Sequence, residues 1–493
     1  MLGDNQESVY QARQRVVTKM AARDQLDILV KNIRTNESPL VCGVLVSGHS
    51  GSGKTLVVES YLQGIESTHP VLIARHYQQF QNIPYFGFKD CISDYLSKIY
   101  NQSSKAELHD FSDKLKEYLG EHFFLLMDYI PELSLLLGKQ STIPVQSHLT
   151  IANQLYPLFK RLFEFLSDYY RQPVFLFTDD LQWTDASGVN LLRYLLVNLS
   201  NRKLIWIGAC RTPQNKNSIL SQLVDDLRLR EIRVENLFLK GFTRGEVSVF
   251  MQVTLGSKCH ADLIDVCYEL TTGNPSHLQA LLERLKNSSL IWQAREVLGG
   301  DVAAIRAQYE GQKTQNMLLE HLKDLSPPAY DVLCIMACIG RFDRQVMLDW
   351  LEGNTTLMGA LVEEGVEAGL LETYEHEVRF SEMQVAEMIY GQLPENERSA
   401  LHYKIANLYY ARGMERLSST DMIVMATSFN QSQDIVKSEG RLQLAAELNY
   451  RAGKILQNDK AYDQARHFFK MSSEFLKECR WEDVREQVWM VYM

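Results

Sequence analysis

The stretch "GHSGSGKT", Gly48–Thr55, lies between the apolar run "VCGVLV" and the segment "LVVESYL". It matches the pattern G-x-x-x-x-G-K-[ST], with a strand-like run before it and a helix-like run after it, as a phosphate-binding loop requires. Glycines let backbone N–H groups converge on phosphate oxygens, and the following helix adds its positive N-terminal end. The alternative is a glycine turn that carries a lysine by chance. The flanking segments favour the phosphate loop.

Each residue of this loop is expected to contact the nucleotide. Lys54 would reach the β- and γ-phosphates, and the Thr55 hydroxyl would bind Mg²⁺. The complete predicted set is Gly48, His49, Ser50, Gly51, Ser52, Gly53, Lys54 and Thr55.

A phosphate loop needs an acidic partner, and the run "PVFLFTDDLQWTD" supplies two carboxylates at the end of an apolar strand. Asp179 is expected to hold the Mg²⁺ shell, and Asp180 to activate or position the attacking water. Paired acids at a strand end also serve as helix N-caps, which is the structural alternative. The upstream phosphate loop favours the catalytic interpretation.

Three further candidates for nucleotide contact could equally have an ordinary structural role. Arg211, at the end of "KLIWIGAC", could contact the γ-phosphate through its guanidinium or be a surface arginine. Arg23, in "AARDQL", could lie at the adenine or on a solvated helix. The run Gly273–Pro275 in "TTGNPSHL" could be an ordinary turn at a helix start. The residues alone do not decide among these.

Composition narrows the class of protein. The chain has 493 residues, 45% of them hydrophobic and 23% charged, with a net charge of −10. This describes a globular protein of two to four domains. The acidic balance argues against a broad nucleic-acid surface. The N-terminus lacks a signal-peptide core, and no run of about 18 apolar residues predicts a membrane helix. Eight scattered cysteines predict reduced thiols, so a cytoplasmic location is expected.

Hydrophobic periodicity predicts the domain organisation. Five short apolar runs alternate with helical segments, as in a parallel α/β sheet, and a long helical insertion separates the second run from the third. Helical patterns then dominate, with one helix and two strand-like pieces typical of a winged helix, followed by hairpins of tetratricopeptide (TPR) type. The expected divisions are a nucleotide-binding domain over 1–240, a helical lid over 241–320, a winged helix over 321–400 and incomplete TPR-like repeats over 401–493.

Together, these motifs resemble the signal-transduction ATPases with numerous domains (STAND proteins), a branch of the AAA-type ATPases. The segments "DDLQWTDASGVNLLRYL", "GACRTPQ" and "TTGNPSHLQALL" are similar to the acidic strand, sensor strand and Gly-x-Pro lid motif of the ATPase module in multidomain histidine kinases, serine/threonine kinases and adenylyl cyclases. The resemblance covers nearly the whole chain. It implies a P-loop NTPase fold of the ASCE/AAA type.

The resemblance also implies roles. ATP and Mg²⁺ are the expected cofactors, with Arg23 and Pro275 near adenine, Asp179 and Asp180 at the hydrolytic centre, and Arg211 as sensor. One departure is that "FSEM" stands where such modules commonly have Phe-x-His-Asp, which leaves Glu382 and Met383 at the last two places. A switch role for that histidine therefore has no counterpart here.

The expected function is that of an ATP-binding, slowly hydrolysing signalling switch or scaffold, with a protein partner on its helical repeats and a possible homo-oligomer. Nucleic-acid binding is the alternative, as in origin-recognition ATPases. It is disfavoured because "MLDWLEGNTTLMGALVEEGVEAGLLETYEHEVRF" is rich in Glu and poor in Lys and Arg. A second alternative is a nucleotide-bound scaffold that does not hydrolyse ATP.

Overall fold

The central sheet of the computed structural model is built from the five apolar runs of the sequence. Its strands are β1 (Val41–Gly48), β2 (Val71–Arg75), β3 (Val174–Asp179), β4 (Leu204–Arg211) and β5 (Arg233–Leu239). They lie in the order β2-β3-β4-β1-β5, and every neighbouring pair is parallel. The predicted parallel α/β fold is confirmed. This order places the carboxyl ends of β1, β3 and β4 side by side.

The structure describes residues 20–35, 41–77, 83–120, 123–127, 130, 132–138, 148–200, 202–211, 219–230, 232–286, 288–294, 297–309, 322, 325–340, 342–368, 370–374, 377–380, 383–414, 417, 419–458 and 462–479. Glu382 lies outside these residues, and the side chain of Met383 is likewise not described.

Helices cover both faces of the sheet. On one face, α1 (Met20–Thr35) and α2 (Lys54–Gln63) pack against alternate side chains of the strands, including Val44 and Val46. The opposite face is covered by the predicted helical insertion and by two later helices. These are α3 (Phe86–Gln102), α4 (Lys105–Leu119), α5 (Phe124–Met127), α6 (Leu133–Leu137), α7 (His148–Tyr170), α8 (Ala186–Asn198) and α9 (Ile219–Leu229).

A helical region follows β5 and has its own apolar core. It contains a small sheet of three strands that the sequence analysis did not predict. Its strands are only two to four residues long, and they lack the apolar runs that identify β1–β5. The elements are α10 (Arg244–Leu255), β6 (Lys258–Cys259), α11 (Ala261–Thr271), α12 (Pro275–Lys286), β7 (Ile291–Ala294), β8 (Val297–Gly300) and α13 (Val302–Tyr309).

The next elements follow the order expected of a winged helix. Three helices precede an antiparallel hairpin of two strands, and a further helix follows the hairpin. We call β9 and β10 the wing. The elements are α14 (Pro327–Ile339), α15 (Arg344–Trp350), α16 (Thr355–Glu367), β9 (Leu371–Tyr374), β10 (Glu377–Phe380) and α17 (Met383–Gln392).

The C-terminal elements are helices that share one apolar core with α14–α17. They are α18 (Glu395–Ala411), α19 (Ser419–Asn430), α20 (Gln433–Ser438), α21 (Leu442–Asn458) and α22 (Tyr462–Lys477). A Cβ at Gly453 of α21 would lie 2.6 Å from the Phe469 ring of α22, so this glycine allows the close packing of the last two helices. The TPR assignment stays a prediction. Across the described residues, no helix combines the length and apolarity of a membrane span.

Candidate functional site

The loop between β1 and α2 has the backbone that its glycines predict. Gly51 has φ +69° and Gly53 has φ +82°, in the left-handed region where other residues are strained. A Cβ at Gly48 would lie 2.7 Å from the Leu239 carbonyl oxygen, so β5 leaves no room for a side chain there. Thus backbone conformation requires glycine at positions 51 and 53 of the loop, and close packing requires it at position 48.

The Lys54 ammonium lies inside this loop. The side chain is 7% exposed, and Nζ donates to the carbonyl oxygens of His49 at 2.9 Å and Gly48 at 3.3 Å. Burial lowers the pKa of Lys54, and the nearby charges of Asp180 and Asp179 partly oppose that shift. The lysine is therefore a buried donor at the centre of the loop, and its role as a phosphate ligand stays a prediction.

The predicted metal ligands contact each other. The Thr55 hydroxyl donates to Asp179 Oδ2 at 2.8 Å, across 124 residues of sequence. Burial, and then the Asp180 charge, raises the pKa of the Asp179 carboxyl well above its usual value. A hydroxyl beside a carboxylate is an oxygen donor set that suits Mg²⁺, which commonly takes one or two protein ligands and completes its shell with phosphates and water. In the loop, Ser52 Oγ is buried and finds no hydrogen-bond partner in the described part of the chain, which fits a site for a phosphate oxygen.

Asp180 has a left-handed backbone, with φ 49° and ψ 47°. Its Oδ1 accepts from Gln182 Nε2 at 2.6 Å, and its own N–H donates to Asp179 Oδ1 at 3.0 Å. Gln182 also accepts the Arg211 backbone N–H at 3.1 Å. The sequence analysis did not single out Gln182, although it lies within "DDLQW". This glutamine joins the acidic strand end to the sensor strand end.

Arg211 is paired with Gly48 in the ladder between β1 and β4, so it starts beside the phosphate loop. Its guanidinium lies over the Trp183 ring, 6.0 Å from the centroid. On its other side, Nη2 is 3.5 Å from Glu387 Oε1, which belongs to α17 beyond the wing. The predicted sensor therefore contacts the winged-helix region.

These loop, acid and sensor residues form one site at the carboxyl edge of the sheet. Residues 15–207 match the family model described as "AAA ATPase domain". The match confirms the resemblance to AAA-type ATPases. Below, "AAA domain" means the central sheet and its flanking helices, residues 20–239.

Known proteins similar to the chain include a much longer one. The chain is 29% identical over 156 residues to the hybrid signal transduction histidine kinase G of Dictyostelium discoideum, an alignment that covers 31% of this chain and 4% of that protein. Among solved structures, a STAND protein with a tetratricopeptide repeat sensor from Pyrococcus horikoshii is 14% identical, with a TM-score of 0.46, over 92% of this chain and 57% of that one. A Walker-type ATPase of Pyrococcus abyssi is 16% identical, with a TM-score of 0.36, over 75% and 95% of the two chains.

The two residues predicted to lie near adenine have different positions. Pro275 is the first residue of α12 and is buried, and its neighbours Asn274 and Ser276 contact the phosphate loop of the AAA domain. Arg23 lies on α1, with its guanidinium beside Gly64 at the far end of α2 from the loop. The structure therefore brings the Pro275 turn to the loop and does not bring Arg23 there. The adenine roles of both residues stay predictions.

A buried ion cluster that the sequence did not reveal joins the AAA domain to the wing. Glu59 of α2 accepts two hydrogen bonds from Arg379 of β10, at 2.8 and 3.0 Å, and a third from Arg75 at 3.0 Å. Although burial opposes it, pairing with the two arginines lowers the pKa of Glu59 to about 2. The bidentate geometry makes this the tightest polar contact described between the wing and the AAA domain.

Glu59 makes the stability of this contact depend on pH. The pKa of Glu59 in the folded protein is below the ordinary 4.5. The ionised carboxylate therefore contributes its full stability to the folded state above about pH 4.5, and that stability is lost as pH falls toward 2. We expect Glu59→Gln to lower the apparent free energy of unfolding by about 3 kcal/mol at pH 6, and by much less at pH 3. Urea unfolding of both proteins at several pH values measures this difference.

The matched control is Glu447→Gln, which removes an exposed pair with Arg451 four residues away on α21. A pair of that kind contributes about 0.3–0.5 kcal/mol. Equal losses in the two variants, or a Glu59→Gln loss that stays constant with pH, would contradict the buried-cluster interpretation.

Proposed function

We propose that the chain is an ATP-binding, slowly hydrolysing conformational switch. The observation that carries this proposal is the ion pair between Arg211, at the end of the sensor strand, and Glu387 of the winged-helix region. One guanidinium at the edge of the nucleotide site thus contacts an element that belongs to a different core. A change at the site therefore has a direct route to that element.

Each residue of the site in the AAA domain has its own role in the proposed hydrolysis of ATP. Lys54 binds the β- and γ-phosphates, and the N–H groups of the loop surround the phosphate oxygens. Asp180 either accepts a proton from the attacking water or orients that water. Thr55 and Asp179 hold Mg²⁺, which neutralises phosphate charge when it is bound. Gln182 occupies one oxygen of the Asp180 carboxylate and leaves the other for the water.

The γ-phosphate and Glu387 compete for Arg211 in this proposal. The Arg211 and Glu387 side chains are 28% and 30% exposed, and their closest atoms are 3.5 Å apart, longer than a charge-assisted hydrogen bond. Among the described residues, Glu387 Oε1 has only this long contact with Arg211, and burial raises the pKa of Glu387. A phosphate oxygen that accepts from Arg211 is a stronger partner. Since ADP lacks that group, ATP and ADP favour different positions of α17, and such a differential contact can shift a population.

Limited proteolysis near Gly241, with ATP and with ADP, tests the switch. The proteins are the parent, Asp180→Asn to retain ATP, Asp180→Asn with Arg211→Ala, and Glu387→Gln. We expect ATP and ADP to give different cleavage patterns in the parent and in Asp180→Asn, and the same pattern once Arg211 is removed. Glu387→Gln should shift the ADP pattern toward the ATP pattern, because the competitor for Arg211 is weakened.

The control is Asp349→Asn, which removes a carboxylate on α15 that accepts from Arg412 at the end of α18, away from the site. It should retain the patterns of the parent. Identical cleavage of the parent in ATP and ADP would remove the switch, and identical behaviour of Glu387→Gln and the parent would remove Glu387 from it.

The remaining parts of the proposal follow the sequence analysis. We propose a cytoplasmic protein with the four domains divided near residues 240, 320 and 400, and with the helices after residue 401 as the surface for a protein partner or a second copy of the chain. The wing residue Arg379 is bonded to Glu59 within the chain, which gives the DNA-binding alternative no support.

A further inference from the structure

We infer that Asn274 is a positioning residue for the phosphate loop: from its place just before α12, its side-chain amide sets the direction of the Gly51 N–H. This inference rests on the proposed binding of ATP at the loop. Asn274 Nδ2 donates to the Ser50 carbonyl oxygen at 2.9 Å, across 224 residues of sequence. The neighbouring Ser276 hydroxyl donates to the Gly51 carbonyl oxygen at 3.3 Å.

The contact matters because of the geometry of a trans peptide. The C=O and N–H of one peptide point in opposite directions, and the described residues contain no cis peptide bond. When Asn274 holds the Ser50 carbonyl, the Gly51 N–H is directed away from α12. Rotation of this peptide would instead turn a carbonyl oxygen toward an anion. The Asn274 bond therefore selects the orientation that can donate to phosphate.

The other carbonyl oxygens at the start of the loop also accept hydrogen bonds from side chains. Lys54 holds the carbonyls of Gly48 and His49, Asn274 holds that of Ser50, and Ser276 holds that of Gly51. Four consecutive carbonyl oxygens thus have donors from the protein. The last two depend on the lid region, so the loop gains its full set of donors only when α12 is in place.

Asn274 also caps α12, and the experiment must separate this role from its bond to the Ser50 carbonyl oxygen. Its Oδ1 accepts from the N–H groups of Ser276 at 3.1 Å and His277 at 3.3 Å, as an N-cap of α12. Serine and aspartate are comparable N-caps. Asn274→Ser keeps a cap without a donor long enough to replace the amide. Asn274→Asp keeps the shape and the cap but places an acceptor against the Ser50 carbonyl.

The measurements are calorimetric affinities for ADP, displacement of labelled ADP by AMP, and the melting temperature without nucleotide. We expect Asn274→Ser to weaken ADP binding about tenfold, the scale of one lost hydrogen bond to a buried partner, and Asn274→Asp to weaken it further. AMP affinity should change less than twofold because AMP has no β-phosphate, and the melting temperature should stay that of the parent. Asn354→Ser is the control: Asn354 caps α16 through Leu357 N–H at 3.0 Å and does not touch the loop.

Each outcome decides a different point. Unchanged ADP affinity in both Asn274 variants overturns the inference and leaves the proposed function standing. Equal losses for ADP and AMP, together with a lower melting temperature, reduce Asn274 to a helix cap. A parent protein that binds neither nucleotide overturns the proposed function and this inference with it.

Discussion

Asp180→Asn should lower the single-turnover rate of ATP hydrolysis by about 10² or more, the usual scale for losing a general base, while ATP still binds. Asparagine is the residue best suited to this test, because it tolerates the left-handed backbone that Asp180 adopts at φ 49°. Its amide oxygen can accept the same bond from Gln182. The change therefore removes the basic carboxylate and little else, and Asp179 remains for the metal.

The control for this experiment is Asp226→Asn, which removes a partly exposed ion pair with Arg193 on the same domain and should leave hydrolysis unchanged. An unchanged rate in Asp180→Asn would remove Asp180 from the mechanism. A parent that binds ATP and releases no phosphate at any time would favour the non-hydrolysing scaffold over the switch.

Lys54→Ala should weaken ATP binding at least about 10²-fold, because loss of one partner of a buried charge pair costs about 3–5 kcal/mol. The substitution also removes the Lys54 hydrogen bonds to the carbonyl oxygens of Gly48 and His49, although His49 keeps its bond from the Ser52 N–H at 3.2 Å. The sheet beneath the loop does not depend on the ammonium, so the fold should survive. Calorimetry with ATP and Mg²⁺ measures the affinity, and far-ultraviolet circular dichroism verifies the fold.

A suitable control is Lys31→Ala, which removes an exposed pair with Asp27 on α1. Its ATP affinity should equal that of the parent. If Lys54→Ala also retains the affinity of the parent, the assignment of the phosphate loop is wrong.

The central sheet could be predicted because inner strands such as β3 and β4 are buried on both faces, which forces near-continuous apolar runs such as Val174–Asp179. The same reasoning missed β6, which has two residues and no apolar run. Short strands are determined by their neighbours rather than by their own composition, so periodicity does not reveal them.

The site could be predicted where a local motif carries the chemistry, as in Lys54, Thr55 and Asp179. It could not be predicted where the contact depends on the docking of distant elements. Glu59 and Arg379 are separated by 320 residues, and nothing in either local sequence points to the other. Asn274 was visible as part of a turn, but its contact with the loop required the fold.

Thr55 and Glu59 lie four residues apart on α2, so they occupy one face of a single helical turn, about 6 Å along the axis. One end of that turn touches the acidic strand through Asp179, and the other holds the wing through Arg379. In the proposed switch, communication between the nucleotide and the wing would need no long relay through the core. A rotation or shift of this one helical turn would move its contacts with Asp179 and with Arg379 together.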